Sequence, residues 1–233
     1  MSIIPVLMYH SISNESLPMS VSIDNFYKQM NLMVRLGFKS VNLKDIHNGE
    51  NKKKFVITFD DGYEDVYKNA LPILKKFNLN ATCFFVANQI GKHNIWDSKK
   101  SNYKKMQLMN EEQIYNWIEQ GHELGSHSLD HLNLATLDIQ NKTNQIVLSK
   151  KVFKEKFNIE VKSFSYPYGI FDTECVELIK KNYMFAVTTK RSRYKTNTFE
   201  ETQIPRVPIN SNTSIYKFLI KILTFYEDIK FKK

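Results

Sequence analysis

The chain has 233 residues, 42% hydrophobic and 24% charged, which suits one sizeable globular domain with a real core. Lysine and arginine exceed aspartate and glutamate to give a net charge of +9, and the excess is dispersed (Lys52-Lys53-Lys54, Lys99-Lys100, Lys150-Lys151, Lys180-Lys181, Lys232-Lys233) with no nucleic-acid motif beside it. Two cysteines are too few for a disulfide scaffold, and no apolar run approaches the roughly 20 residues that span a bilayer.

In chain order, the first strand is expected over 5–9. The N-terminus lacks a basic leader and carries Pro5 in a short apolar run, so it reads as a strand and not as a signal peptide. The expected location is therefore the cytoplasm, with the inner membrane surface as the alternative. A helix over 22–36 brings Phe26, Met30, Met33 and Val34 to one face, with Ser22 as its cap. Strands follow over 39–42 and 55–59, then a helix over 66–77 and a strand over 81–86, in which Cys83 reads as a small buried hydrophobe. The helix over 110–120 opens on Asn110 and Gln113, the spacing of a capping box. Then come a strand over 123–126, a long lysine-rich helix over 139–157, a strand over 163–166, a helix over 173–181 and a strand over 184–188. An amphipathic helix over about 214–230 ends the chain, either packed on the body or lying on a membrane. Strands alternating with helices, about seven times, favour one α/β domain over 1–233: a distorted, TIM-barrel-like (β/α) barrel with its chemistry at the carboxyl ends of the strands.

Three strand ends carry that chemistry. Val56-Ile57-Thr58-Phe59-Asp60-Asp61-Gly62-Tyr63 is a buried strand ending in two adjacent carboxylates, which repel unless a cation or a split environment gives them separate roles. His127-Ser128-Leu129-Asp130-His131 sets two of the six histidines four residues apart, a metal-ligand spacing. Phe164-Ser165-Tyr166-Pro167-Tyr168-Gly169 ends a strand in a sharply fixed turn, suited to presenting a main-chain N–H.

Together these stretches resemble the polysaccharide deacetylase family (carbohydrate esterase family 4, the NodB-homology group) over nearly the whole chain. Thr58-Phe59-Asp60-Asp61-Gly62 and His127-Ser128-Leu129-Asp130-His131 match two of its motifs in full. The resemblance implies a barrel of seven strands and a divalent metal, commonly zinc, with cobalt or nickel as alternatives. It implies that Asp61, His127 and His131 are the metal ligands, that Asp60 is the general base, and that the Tyr168 N–H stabilises an oxyanion. Two departures stand out. The third motif of the family has an arginine that orients the base where this chain has Ser165, and Arg206 is the candidate replacement. The late histidine that protonates the leaving amine is absent; His10, in Tyr9-His10 at the end of the first strand, resembles the acid of the subgroup acting on poly-N-acetylglucosamine. Trp96, Pro167, Tyr168 and Arg206 are the expected substrate-binding residues.

The expected reaction is release of acetate from an N-acetylated amino sugar of a polysaccharide, a lipopolysaccharide precursor or a lipid-linked glycan; the dispersed lysines read first as a solvated surface, with an anionic substrate and peripheral membrane contact as the alternatives. The alternatives are hydrolysis of another linear or cyclic amide, and a catalytically impaired glycan-binding homologue.

Overall fold

A computed structural model describes residues 2–15, 19–48 and 53–230; Lys52, Lys232 and Lys233 of the lysine clusters fall outside them. Eight parallel strands organise it: β1 (Val6–Tyr9), β2 (Lys39–Val41), β3 (Lys54–Phe59), β4 (Thr82–Phe85), β5 (Glu123–Ser126), β6 (Ser163–Ser165), β7 (Phe185–Arg191) and β8 (Ile204–Pro208). β1, β3, β4, β5, β6, β7 and β8 pair in that order, and β8 returns to β1. A closed seven-stranded barrel results, as expected.

Its membership differs from the seven strands read in the sequence. β2 pairs with Lys54–Val56 at the start of β3 and stays outside the ring, while β4 takes the end of β3 at Thr58 and Phe59. The ring is completed instead by β8, Ile204-Pro205-Arg206-Val207-Pro208. Its two prolines lack N–H donors and disguise a barrel strand as a turn.

The helices are α1 (Ile23–Arg35), α2 (Leu71–Phe77), α3 (Glu111–Glu119), α4 (Ile139–Thr143), α5 (Ser149–Phe157), α6 (Thr173–Asn182), α7 (Ile215–Leu223) and α8 (Tyr226–Lys230). Ser22 caps α1 by accepting from the Asn25 N–H, and both halves of the Asn110–Gln113 capping box are formed on α3. α4 runs through the π-helical segment Asn144–Leu148 into α5, so the long helix read there is present with a wider turn inside it. The terminal segment is two short helices interrupted at Thr224, and α7 buries Phe218 and Ile222. Among the described residues no helix is long and apolar enough to cross a membrane.

Strand periodicity of two sorts the core. Leu7, Ile57, Cys83, Phe85, Leu124 and Phe164 point outward onto helix residues such as Phe26, Met30, Trp117 and Phe153. Val6, Val56, Phe84, Val187 and Ile204 meet one another across the barrel interior. Burying each such side chain is worth about 1.5–3 kcal/mol. Two residues further along the same faces stand Thr58 and Arg206, and two beyond Thr58 comes Asp60. The site is thus the continuation of the barrel's inner face past its apolar plug.

Candidate active site

Asp60 and Asp61 leave the end of β3 in different directions because the backbone turns sharply there. Asp61 has φ +74° and Gly62 φ +73°, and a Cβ on Gly62 would stand 2.5 Å from the Phe85 ring, so glycine is required. The turn carries Asp61 towards the loop after β5. There its Oδ1 lies 3.5 Å from His127 Nε2 and 3.3 Å from His131 Nε2, without the alignment of a hydrogen bond. All three side chains are buried, and their ligand atoms lie within 4.8 Å of one another. Three lone-pair donors converging on one point, one of them an unpartnered buried carboxylate oxygen, fit a divalent cation. Two nitrogens and one oxygen also leave positions open for water and substrate. Burial, helped by the neighbouring His131, pushes His127 down to about 4, so its ring is neutral and its Nε2 lone pair available. Its Nδ1 lies 2.7 Å from the Ser165 carbonyl oxygen, to which it donates in that tautomer.

Asp60 turns to the barrel interior. Arg206 donates from NH1 to Oδ1 and from NH2 to Oδ2, both at 2.7 Å, a bidentate clamp. The guanidinium is itself fixed: Nε donates to the Thr188 carbonyl at 2.9 Å, NH1 to Thr58 Oγ1 at 3.1 Å and NH2 to Ser165 Oγ at 3.3 Å. Burial by itself would raise the Asp60 carboxyl. The charge and hydrogen bonds of Arg206 outweigh that, with His127 and His10 adding to them, and hold it below the usual carboxylate range. Ser165, standing where the family motif has its arginine, is thus a neighbour of the arginine that β8 supplies. His10, at the end of β1, places Nε2 3.9 Å from Asp60 Oδ2. Its Nδ1 is buried without a partner among the described residues.

The rim comes from two loops. Tyr168, 42% exposed at φ +59°, meets the His131 ring nearly at right angles, with centroids 4.5 Å apart. Trp96 lies flat on His131, with centroids 4.6 Å apart and planes inclined at 23°. Both line a cavity of about 310 Å³ with His10, Asp60, Asp61 and His127. Two expected substrate-binding residues stand elsewhere. Pro167 is buried beneath the turn and is not part of the cavity wall. Arg206 has no exposed surface, since its donors are used inside the barrel, and it acts on the site from behind through Asp60.

Sequence reasoning missed Tyr63, Asp97, Lys100 and Thr189, which also line the cavity. Tyr63 and Asp97 directly follow Gly62 and Trp96, and that adjacency was the available signal. Thr58 and Thr188, which fix Arg206, had none.

The sequence profile of the polysaccharide deacetylase family matches residues 47–187. The Bacillus subtilis protein YxkH, which carries the polysaccharide deacetylase name, is 32% identical over 80% of this chain and 64% of its own. This chain therefore spans just under two thirds of that relative's length. The poly-β-1,6-N-acetyl-D-glucosamine N-deacetylase of Staphylococcus aureus is 28% identical over 92% of this chain and 76% of its own. The Streptococcus pyogenes deacetylase PplD, solved in complex with acetate, superposes with a TM-score of 0.82 at 23% identity, covering 94% of this chain and 98% of its own, which bears on the fold.

Proposed function

Because the chain belongs to the polysaccharide deacetylase family, we propose that it is a metal-dependent hydrolase that removes N-acetyl groups from an amino sugar and releases acetate. The observation that carries this reading is the placing of Arg206-clamped Asp60 beside the buried cluster of Asp61, His127 and His131.

In this reading Asp61, His127 and His131 hold a divalent cation, zinc first among the candidates. When bound, it would supply the positive charge that lowers the pKa of a water towards about 7 and polarises an acyl oxygen. Asp60, kept ionised and aimed by Arg206, takes the proton of the attacking water as the new O–C bond forms. The Tyr168 N–H would donate to the oxygen on which negative charge gathers; one such donor is worth about 3 kcal/mol. His10 gives a proton to the amine nitrogen as the C–N bond breaks, so acetate and a free amino sugar leave. The clamp on Asp60 also weighs against a catalytically impaired homologue, since it supplies the positive charge that Ser165 lacks.

The S. aureus relative's name makes poly-N-acetylglucosamine the first substrate to try, and the net charge of +9 adds carrier-linked anionic sugars. Acetate release is to be measured on polymeric, free, nucleotide-linked and lipid-linked N-acetyl sugars, with chelator and after adding zinc back. Release from at least one, lost with chelator and restored by zinc, is expected. Glycan binding with no acetate from any substrate would make the protein a binding module, and chelator-resistant release would remove the metal.

A further inference from the structure

The two histidines of the cluster are held in different ways. A histidine that ligates a metal usually has its second ring nitrogen hydrogen-bonded, which fixes the tautomer and the plane of the ring. His127 follows this through the Ser165 carbonyl at 2.7 Å. His131 does not: its Nδ1 is buried and has no hydrogen-bond partner among the described residues, on backbone at φ +59°. Rings surround it instead. Trp96 covers one face at 4.6 Å and 23°, while Tyr168 and His127 meet it edge-on at 4.5 and 4.7 Å.

We propose that Trp96 is a positioning residue for His131, its indole setting by stacking the imidazole plane that a hydrogen bond sets for His127. The proposal rests on the reading that Asp61, His127 and His131 hold a cation. The indole is presented on a braced turn, Ile95–Asp97. The preceding Asn94 accepts from the Met106 N–H at 2.8 Å and donates to the Lys104 carbonyl at 3.1 Å, and the indole packs partly on the core. With the plane so held, His131 Nε2 addresses Asp61 Oδ1 at 3.3 Å. Coordination draws electron density out of an imidazole, and the electron-rich face of an indole attracts a ring made more positive. The stack therefore tightens as the cation binds, and Trp96 belongs to the affinity for metal as well as to the pocket wall. The sequence offers Trp96 as a substrate-binding residue; this geometry commits one of its faces to His131.

The test is zinc affinity of the full chain by competition with a chromophoric chelator, alongside intrinsic fluorescence. Trp96→Leu keeps apolar volume without a stacking face and should weaken zinc binding roughly tenfold or more, the usual size of such an effect. Trp96→Phe, which keeps a ring face, should recover most of it. Metal-free Tm should be similar in all three proteins. The chain has two tryptophans, and Trp117 is fully buried in the core outside the cavity wall, its Nε1 donating to the Glu123 carbonyl at 3.1 Å. Zinc should therefore change the emission of the wild type and leave that of Trp96→Phe nearly unchanged. Wild-type zinc affinity in Trp96→Leu overturns the proposal, and a rise in KM for glycan with unchanged zinc Kd makes Trp96 a sugar platform instead. A wild-type chain that binds no zinc overturns the triad reading and this proposal together, and is told apart from the other outcomes by that result.

Discussion

Asp60, just past the end of β3, and Glu123, the first residue of β5, are both buried carboxylates at opposite ends of the barrel, and they are held in opposite ways. At the mouth, Arg206 grips Asp60 with two charged hydrogen bonds, and the carboxyl is held below its usual range. At the base, Glu123 accepts only from neutral donors: Ser163 Oγ at 2.6 Å, Thr82 Oγ1 at 2.8 Å and the Lys44 N–H at 3.0 Å. Burial then wins, and the Glu123 carboxyl is raised. A group that takes a proton must be ionised beforehand, whereas a staple joining the starts of β4, β5 and β6 needs only its acceptors. The histidines repeat the contrast. His122, near the base, lies 4.3 Å from the Trp117 ring and accepts the Ala81 N–H at Nδ1, and burial pushes it down to about 4. His131, at the mouth, also meets a tryptophan but leaves Nε2 facing Asp61.

The largest effect should come from erasing the difference. Arg206→Met removes the cation and leaves Asp60 buried and unpaired, at a cost of about 3–5 kcal/mol of stability in urea unfolding. Asp60 should then behave as Glu123 does, its carboxyl rising and acetate release setting in at higher pH with a much lower maximum. Unchanged stability and an unchanged pH profile would show that the clamp matters to neither. His10→Phe acts at the mouth alone. Turnover should fall by about 10²–10⁴ while zinc content stays normal, and retained turnover would send the search for the proton donor elsewhere. The smallest effect belongs to the base. The folded state holds the Glu123 proton more tightly than the unfolded chain does, so Glu123 withdraws stability as pH rises above the ordinary glutamate value of 4.5. Glu123→Gln should flatten the fall of Tm above that pH and leave acetate release unchanged. A variant that lost activity as well would join the two ends of the barrel that the geometry keeps apart.

Some of this was legible in short stretches. Asp60 and Asp61 are adjacent, His127 and His131 are four apart, and helix periodicity brings Phe26, Met30 and Met33 to one buried face, because those signals depend on neighbours in the chain. β8 was hidden because Pro205 and Pro208 lack the donors that mark a strand, although Arg206 between them was singled out as the group missing from position 165. Trp96 was noticed as an aromatic residue near the mouth, but nothing local says that its ring lies on His131.

The sequence by itself therefore determined the fold class and the motif residues that the proposed chemistry would use, since both are encoded by periodicity and by motifs a few residues long. Only the tertiary structure decided the state of those side chains. Arg206 reaches Asp60 across 146 positions of chain, and closure of the barrel by β8 brings them together. Coulomb energy and desolvation depend on distance and burial in space, so the ionisation of Asp60, like the aim of His131, is settled after the chain has folded.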